Sequence, residues 1–266
     1  MLLEVKDLEI SYGTKVTVSG CSFELDQGEI MSIVGESGSG KTTVIRAIMG
    51  CLPGAGRVSK GSITYNGIDV LKLTRPEWRK MYGGEMSMIF QDSGSMINPI
   101  RRIGNQFIDY IQTHRPDKSK DQAYKMACDM LTNVRLPNPD NIMNSYPFEL
   151  SGGMRQRVGI AMAMIFSPKL LLADEPTSAL DVTTQAQIIR QIVDIRNQYN
   201  VAVIIVTHNL GVASYVSNKL MVMKGGKVAE SGPREDLIAH PKDDYTKLLL
   251  KAVPIIGDKC YYDYTN

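Results

Sequence analysis

Hydrophobic and polar positions along this chain follow different periods in different regions. Between residues 2 and 34 they alternate, as in Leu3-Glu4-Val5, Val16-Thr17-Val18 and Cys21-Ser22-Phe23-Glu24-Leu25, with Gly13, Gly20 and Gly28 as punctuation. Alternation places successive side chains on opposite faces, so short antiparallel strands are predicted here. Ser62-Ile63-Thr64-Tyr65 repeats the pattern and runs into Asn66-Gly67, a pair suited to a tight hairpin turn. Three other runs are apolar almost throughout: Ile30-Met31-Ser32-Ile33-Val34, Leu170-Leu171-Leu172-Ala173 and Val201-Ala202-Val203-Ile204-Ile205-Val206. Such runs are expected of strands buried on both faces, as in a parallel sheet.

Between about 76 and 165 the texture becomes helical. Residues 117–133 bring Ala123, Met126, Ala127, Met130 and Leu131 to one face, and Pro137 and Pro139 break the pattern. Ten of the fifteen methionines fall between Met81 and Met164, which suits irregular packing and adaptable contact surfaces, with core packing the role of most. A strand over 86–90 ends at Gln91. Helices are predicted over 43–49, ending at Gly50, over 152–166, ending before Pro168, and over 183–199. Beyond Asn218 a strand, the Gly225-Gly226 turn and a second strand precede a helix from about Arg234. The last fifteen residues read as a loosely ordered tail. The pattern is α/β, with an antiparallel β region at the start and a helical subdomain inserted into the core.

The 266 residues are enough for a sizeable core, and a formal charge of +2 gives no electrostatic footprint for nucleic acid. Cys21, Cys51, Cys128 and Cys260 show no metal-ligand spacing, so reduced thiols are expected. Charges at Glu4, Lys6 and Asp7 interrupt any signal-peptide core, and no apolar run nears the roughly 20 residues that span a bilayer. Any link to a membrane is expected to run through a partner.

The chemistry starts at Gly35-Glu36-Ser37-Gly38-Ser39-Gly40-Lys41-Thr42, which reads G-x-x-x-x-G-K-[ST] between a strand and the helix opening at Thr43. Glycines let successive N–H groups curl around a polyphosphate, and the helix start adds its positive dipole end. Lys41 can reach terminal phosphates, and the Thr42 hydroxyl can take a position on Mg²⁺. A purine nucleoside triphosphate is the expected ligand. Tyr12 can stack on adenine, although an ordinary strand aromatic fits its position equally well. Gln91 can ligate Mg²⁺ or orient a water. Ser151-Gly152-Gly153 opens a second helix whose bare N–H groups form a second anion site. Asp174 and Glu175 end a buried strand where ligands bind in such sheets. Asp174 suits Mg²⁺, Glu175 suits the proton of an attacking water, and His208 ends a neighbouring strand within reach of a γ-phosphate. His114 and His240 sit in polar, loop-like sequence and carry no expected chemistry.

The loop at 35–42, Gln91, Leu150-Ser151-Gly152-Gly153-Met154-Arg155-Gln156, Asp174-Glu175, Asp181 and His208 occur in the order of an ATP-binding cassette transporter's nucleotide-binding subunit, and residues 2 to about 232 resemble one. Within that superfamily Asn98-Pro99, Tyr146-Pro147-Phe148-Glu149 and His240-Pro241-Lys242-Asp243-Asp244-Tyr245-Thr246-Lys247-Leu248-Leu249 are similar to the oligopeptide, dipeptide and nickel importer group, and Met154 to its first ATPase subunit. The resemblance implies a phosphate-loop (RecA-like) core with an N-terminal antiparallel β subdomain and an inserted α-helical subdomain at about 92–165. The nucleotide-binding domain would span 1–232, with a helical extension and tail over 233–266.

The same resemblance implies an Mg²⁺-dependent ATP hydrolase whose closure drives import, of oligopeptides or dipeptides or, alternatively, of nickel or a metal chelate. A cysteine-rich C-terminal extension found in longer peptide-branch relatives is absent here, which keeps the nickel alternative open. Glu175 would be the general base, Lys41 and His208 would brace the γ-phosphate, and Thr42, Gln91 and Asp174 would hold the metal. Glu36, Ser37, Ser39, Thr43, Gln156 and Asp181 join the glycines of both segments among the nucleotide contacts. Partners would be a second cassette chain (a heterodimer, or a homodimer), two integral permease subunits and, indirectly, an extracellular binding protein, at the cytoplasmic face of the membrane. A cassette ATPase unattached to a transporter is the rival class.

Overall fold

A computed structural model describes residues 1–91, 96–178 and 180–252, together with the backbone of 255–256 and 259–260. The expected tail therefore lies largely outside the described residues, as does the side chain of Cys260.

Two large sheets and a helical arm build the described residues, with 255–256 and 259–260 pairing as a separate two-stranded ribbon. The antiparallel sheet has β1 (Leu3–Tyr12), β2 (Lys15–Leu25), β4 (Gly56–Tyr65) and β5 (Ile68–Asp69) in the order β2-β1-β4-β5. Its strands are longer than the alternation predicts. β1 and β2 stay paired from Leu3↔Leu25 to Tyr12↔Lys15 by absorbing irregularities between Val5 and Ser11, with Asp7 and Gly20 at positive φ. A bulge slips the register without ending the strand, so Gly20 is an interior residue and not a boundary. Asn66 and Gly67, at φ +47° and +80°, close the predicted hairpin.

The second sheet runs β10-β9-β3-β8-β7-β6, made of β3 (Ile30–Val34), β6 (Met86–Ile89), β7 (Leu170–Asp174), β8 (Ala202–Thr207), β9 (Lys219–Lys224) and β10 (Lys227–Pro233). All pairings are parallel except β9 with β10. Every residue of β3, β6, β7 and β8 is buried. Alternate residues of one strand serve different cores. Leu170 and Leu172 of β7 join Ile204 and Val206 under the antiparallel sheet and α1 (Lys41–Ile48), whereas Leu171 and Ala173 join Val203 and Ile205 under the helices. Each fully buried leucine contributes on the order of 2 kcal/mol, so apolar continuity is what selects the centre of the sheet.

Between β6 and β7 lie α3 (Ile103–His114), α4 (Lys120–Asn133), α5 (Pro139–Asn144) and α6 (Gly152–Met164), preceded before β6 by α2 (Arg75–Met81). Ser119 and Gln122 form a reciprocal capping box that starts α4 three residues after the predicted point. Pro139 supplies the first residue of α5. His114 is a correction to the loop expectation: it ends α3, with its ring packed on Tyr110 and Phe166 and Nδ1 3.0 Å from the Tyr110 carbonyl oxygen. Only helical periodicity carried through Tyr110 and Ile111 reveals that placement.

The chain continues through α7 (Val182–Tyr199), α8 (Leu210–Val216), α9 (Arg234–Ala239) and α10 (Asp244–Lys251). Leu237, Tyr245, Leu249 and Leu250 pack against a cluster containing Val34, Leu220 and Val222. The register aligns Val34 with Thr207 and Asp174 with Val206, so loops carrying Gly35, Glu175 and His208 leave the sheet at one edge.

Candidate nucleotide-binding site

A cleft of about 440 Å³ opens at that edge, lined by Thr17, Ser37, Gly38, Gly40, Lys41, Thr42, Thr43, Gln91, Glu175 and His208. Strands β3, β6, β7 and β8 each deliver at least one group at the C-terminal end, where the parallel topology concentrates loops.

The phosphate loop depends on its glycines in distinct ways. Gly35 has φ +152°, and a Cβ there would lie 2.1 Å from the Met223 carbonyl oxygen; Gly40, at φ +98°, would meet Val18 at 2.8 Å. α1 therefore begins without a side-chain cap, leaving the first-turn N–H groups free for a ligand.

Lys41 is 4% exposed, and its ammonium donates to the Gly35 and Glu36 carbonyl oxygens at 2.8 Å each, with Ser39 Oγ at 3.5 Å. Among the described residues no carboxylate lies within ion-pair distance of it. Burial pushes its pKa below the usual lysine value, while Glu175, Asp174 and Glu36 oppose that shift. A buried cation held by neutral oxygens gains from an arriving anion.

Thr42 donates its hydroxyl to Asp174 Oδ1 at 2.7 Å. Asp174 is 2% exposed; burial raises its carboxyl pKa, against the lowering effect of the Thr42 hydrogen bond. Thr42, Asp174 and Gln91 offer only oxygen donors to a cation. No group of three or more His, Cys, Asp or Glu side chains forms a metal site among the described residues. That donor set fits Mg²⁺, a hard ion which binds through one or two protein oxygens and completes its shell with phosphates and water.

Glu175 occupies φ +42°, a strained setting for a glutamate, with its N–H donating to the Val206 carbonyl oxygen at 2.9 Å. Its Oε2 accepts from Gln91 Nε2 at 3.4 Å and stands 3.4 Å from His208 Nδ1. Three groups from three strand ends thus face one another across the cleft mouth, where His208 is exposed.

The second helix start lies apart from this cleft. Ser151 caps α6, its Oγ accepting the Met154 N–H at 3.3 Å, and Ser151 and Gly152 are exposed. Gln156 is buried, 5% exposed, and its Nε2 has no hydrogen-bond partner among the described residues. Asp181 caps α7 through the Thr184 N–H at 3.0 Å and hydroxyl at 2.7 Å. Tyr12 pairs with Gly56, where an added Cβ would lie 2.7 Å from its ring, and it does not line the cleft.

Thr17 lines the cleft although the sequence does not single it out, because in an alternating strand it reads as one more outward polar residue. The signal lies in three dimensions. Its carbonyl oxygen would be 2.2 Å from a Cβ on Gly226, whose N–H donates to the Ser39 carbonyl oxygen at 3.2 Å. A larger groove of about 790 Å³ at the far end of α7 is lined by Arg190, Asp194, Arg234 and Glu235. It has balanced charge and no glycine-rich turn.

Fold and site together define a phosphate-loop ATPase. The family model described as ABC transporter matches residues 18–178. The chain is 43% identical over 260 residues to the oligopeptide transport ATP-binding protein OppD of Bacillus subtilis (strain 168), covering 96% of this chain and 72% of that protein. It is 43% identical over 258 residues to the dipeptide transport ATP-binding protein DppD of the same organism, covering 95% and 77%. Among solved structures, the dimeric post-hydrolysis state of the ATP-binding cassette MJ0796 bound to ADP and Pi superposes with a TM-score of 0.76 at 26% identity, covering 88% of this chain and 99% of that one. The chain belongs to the ABC transporter family, and it is an ATP-binding, ATP-hydrolysing cassette of that family.

Proposed function

We propose that this chain is the ATPase subunit that powers import of oligopeptides or dipeptides, through ATP-driven closure of a pair of cassettes. The observation that carries the reading is the convergence of Lys41, Thr42, Gln91, Glu175 and His208 on one cleft, in a chain whose relatives are named for oligopeptide and dipeptide transport. Glu175, its carboxylate held by Gln91 and His208, takes a proton from water attacking the γ-phosphorus in line as the bond to the β–γ bridging oxygen breaks and ADP leaves. Lys41 leaves its carbonyl partners for the terminal phosphates, and His208 braces the γ-phosphate. Bound Mg²⁺, held by Thr42, Asp174 and Gln91, would neutralise charge on the phosphate oxygens.

The exposed Ser151-Gly152-Gly153 start meets the γ-phosphate held by a second cassette, identical or related, which accounts for two anion sites in one chain. Loss of that phosphate dissolves the bridge between cassettes and reopens the pair. No described helix is long and apolar enough to cross a membrane. Like the transport ATP-binding proteins it is similar to, the chain would sit peripherally at the cytoplasmic face against two integral permease subunits, with an extracellular binding protein acting indirectly and no nucleic acid. Residues 1–232 form the nucleotide-binding domain and 233–266 its extension.

The test is uptake by cells lacking this chain. Loss of labelled di- or oligopeptide uptake, restored by the wild-type chain and not by Glu175→Gln, is expected. Loss of nickel-chelate uptake alone would reassign the cargo. Recovery of the chain without membrane subunits after gentle fractionation would favour the unattached ATPase.

A further inference from the structure

The phosphate loop is held from an unexpected direction. The backbone N–H of Glu36 donates to the phenol oxygen of Tyr245 at 3.1 Å, although Tyr245 lies on α10, well beyond the residues matched by the family model. Several contacts fix that phenol. Asp243 caps α10, its Oδ1 accepting the N–H groups of Tyr245 at 2.8 Å and Thr246 at 3.3 Å. The Lys242 and Asp243 N–H groups donate in turn to the Glu230 carboxylate on β10 at 3.0 and 3.1 Å. Thr246 is fully buried, and the Lys224 ammonium lies 4.7 Å from the Tyr245 ring centroid. Because Tyr245, Leu249 and Leu250 pack on the Val34 cluster, the hydroxyl is presented by a rigid element.

The same residue of the loop faces Lys41 on its other side, since the Glu36 carbonyl oxygen accepts the Lys41 ammonium at 2.8 Å. Ser39, further along, is held by the Gly226 N–H. The loop is thus tied at its entry by Tyr245 and near its exit by the β9–β10 turn. Three of its residues are glycines at positive φ, which cost the most entropy to order. Restraining the arms before the triphosphate arrives lowers the ordering cost of binding.

We propose that Tyr245 is a positioning residue for ATP: its hydroxyl fixes the entry arm of the phosphate loop and, through Glu36, the resting place of Lys41. This rests on the assignment of the cleft as the ATP site. Tyr245→Phe keeps the ring, its packing and its contact with Lys224, and removes only the hydroxyl. In the full chain, the Kd for Mg·ATP and the KM of hydrolysis should rise about 3- to 10-fold, the scale of a single hydrogen bond. Turnover at saturation should stay unchanged, and the melting temperature without nucleotide should fall by no more than a few degrees, the scale of one lost hydrogen bond. Tyr245→Ala should weaken binding further and also lower the melting temperature. A wild-type Kd in Tyr245→Phe, or a fall in kcat with Kd unchanged, would overturn the role of the hydroxyl. Equal ATP binding by Lys41→Ala and wild type would instead overturn the cleft assignment, and this inference with it.

Discussion

Two helices of this chain begin at glycine-rich turns, yet they are built for different situations. α1 starts from Gly40 at positive φ without a side-chain cap, and its first residue, Lys41, is buried beside Asp174 and Glu175. α6 starts from Ser151 in an ordinary extended conformation, capped by its own hydroxyl, with Ser151 and Gly152 open to solvent. The first turn is uncapped and surrounded by opposed buried charges, so its stability improves when a ligand arrives. The second is satisfied on its own terms. Among the described residues a Cβ at Gly152 would meet only Leu180, at an ordinary 3.6 Å, so none of them requires glycine there. The comparison separates a helix start poised for a ligand from one already satisfied by its own cap.

Substitutions can break that separation. The largest effect is expected at Glu175→Gln, which removes the proton acceptor while leaving the Lys41 cradle intact. Hydrolysis should fall about 10²- to 10⁴-fold with ATP still bound, and an unchanged turnover would remove Glu175 from the base role. Next, Gly152→Asp places a carboxylate at the exposed start of α6. If the proposed pairing holds, turnover should drop about 100-fold while the Kd for ATP stays within about twofold, because the carboxylate would repel a phosphate presented by a second cassette. If nucleotide binding collapsed instead, the two sites would not be separable. Lys41→Ala reverses the pattern, weakening ATP affinity about 10- to 100-fold through loss of a charged hydrogen bond, measurable by titration with the protein still folded.

The smallest effect tests the buried charge itself. The folded-state pKa of Asp174 is raised above its unfolded value of about 4, so the folded chain holds that proton more tightly. Stability from this group is therefore greatest below about pH 4 and declines as pH rises through the folded pKa, with the full penalty present at neutral pH. Asp174→Asn cannot ionise. It should raise the melting temperature of the nucleotide-free protein at neutral pH, with the gain vanishing near pH 4, and it should weaken the further stabilisation by Mg·ATP. A gain independent of pH would show that packing, not charge, is responsible.

Much of the fold can be read along the chain, because periodicity and burial are local consequences of one another. The apolar runs at 30–34, 170–173 and 201–206 form the centre of the parallel sheet, and the helical face of Ala123, Ala127, Met130 and Leu131 is core. Sequence reading fails where local signals have two meanings. Gly20 and Asp7 mark irregularities within long strands, and His114, loop-like in sequence, is packed between aromatic rings. For the site, Gly35, Lys41, Thr42, Gln91, Glu175 and His208 can be named before any geometry, because phosphate and proton chemistry restricts which residue types serve.

The sequence by itself determined the chemistry of the phosphate loop, the carboxylates at the strand end, and the existence of a second capped helix start. These are set by a few consecutive residues and their flanking periodicity. Tertiary structure alone decided that Thr17 borders the cleft, that Asp181 and Gln156 turn to capping and to the interior, and that Tyr245 reaches Glu36. Those relations join residues far apart in the chain, and only strand order and the packing of helices onto the sheet bring them together.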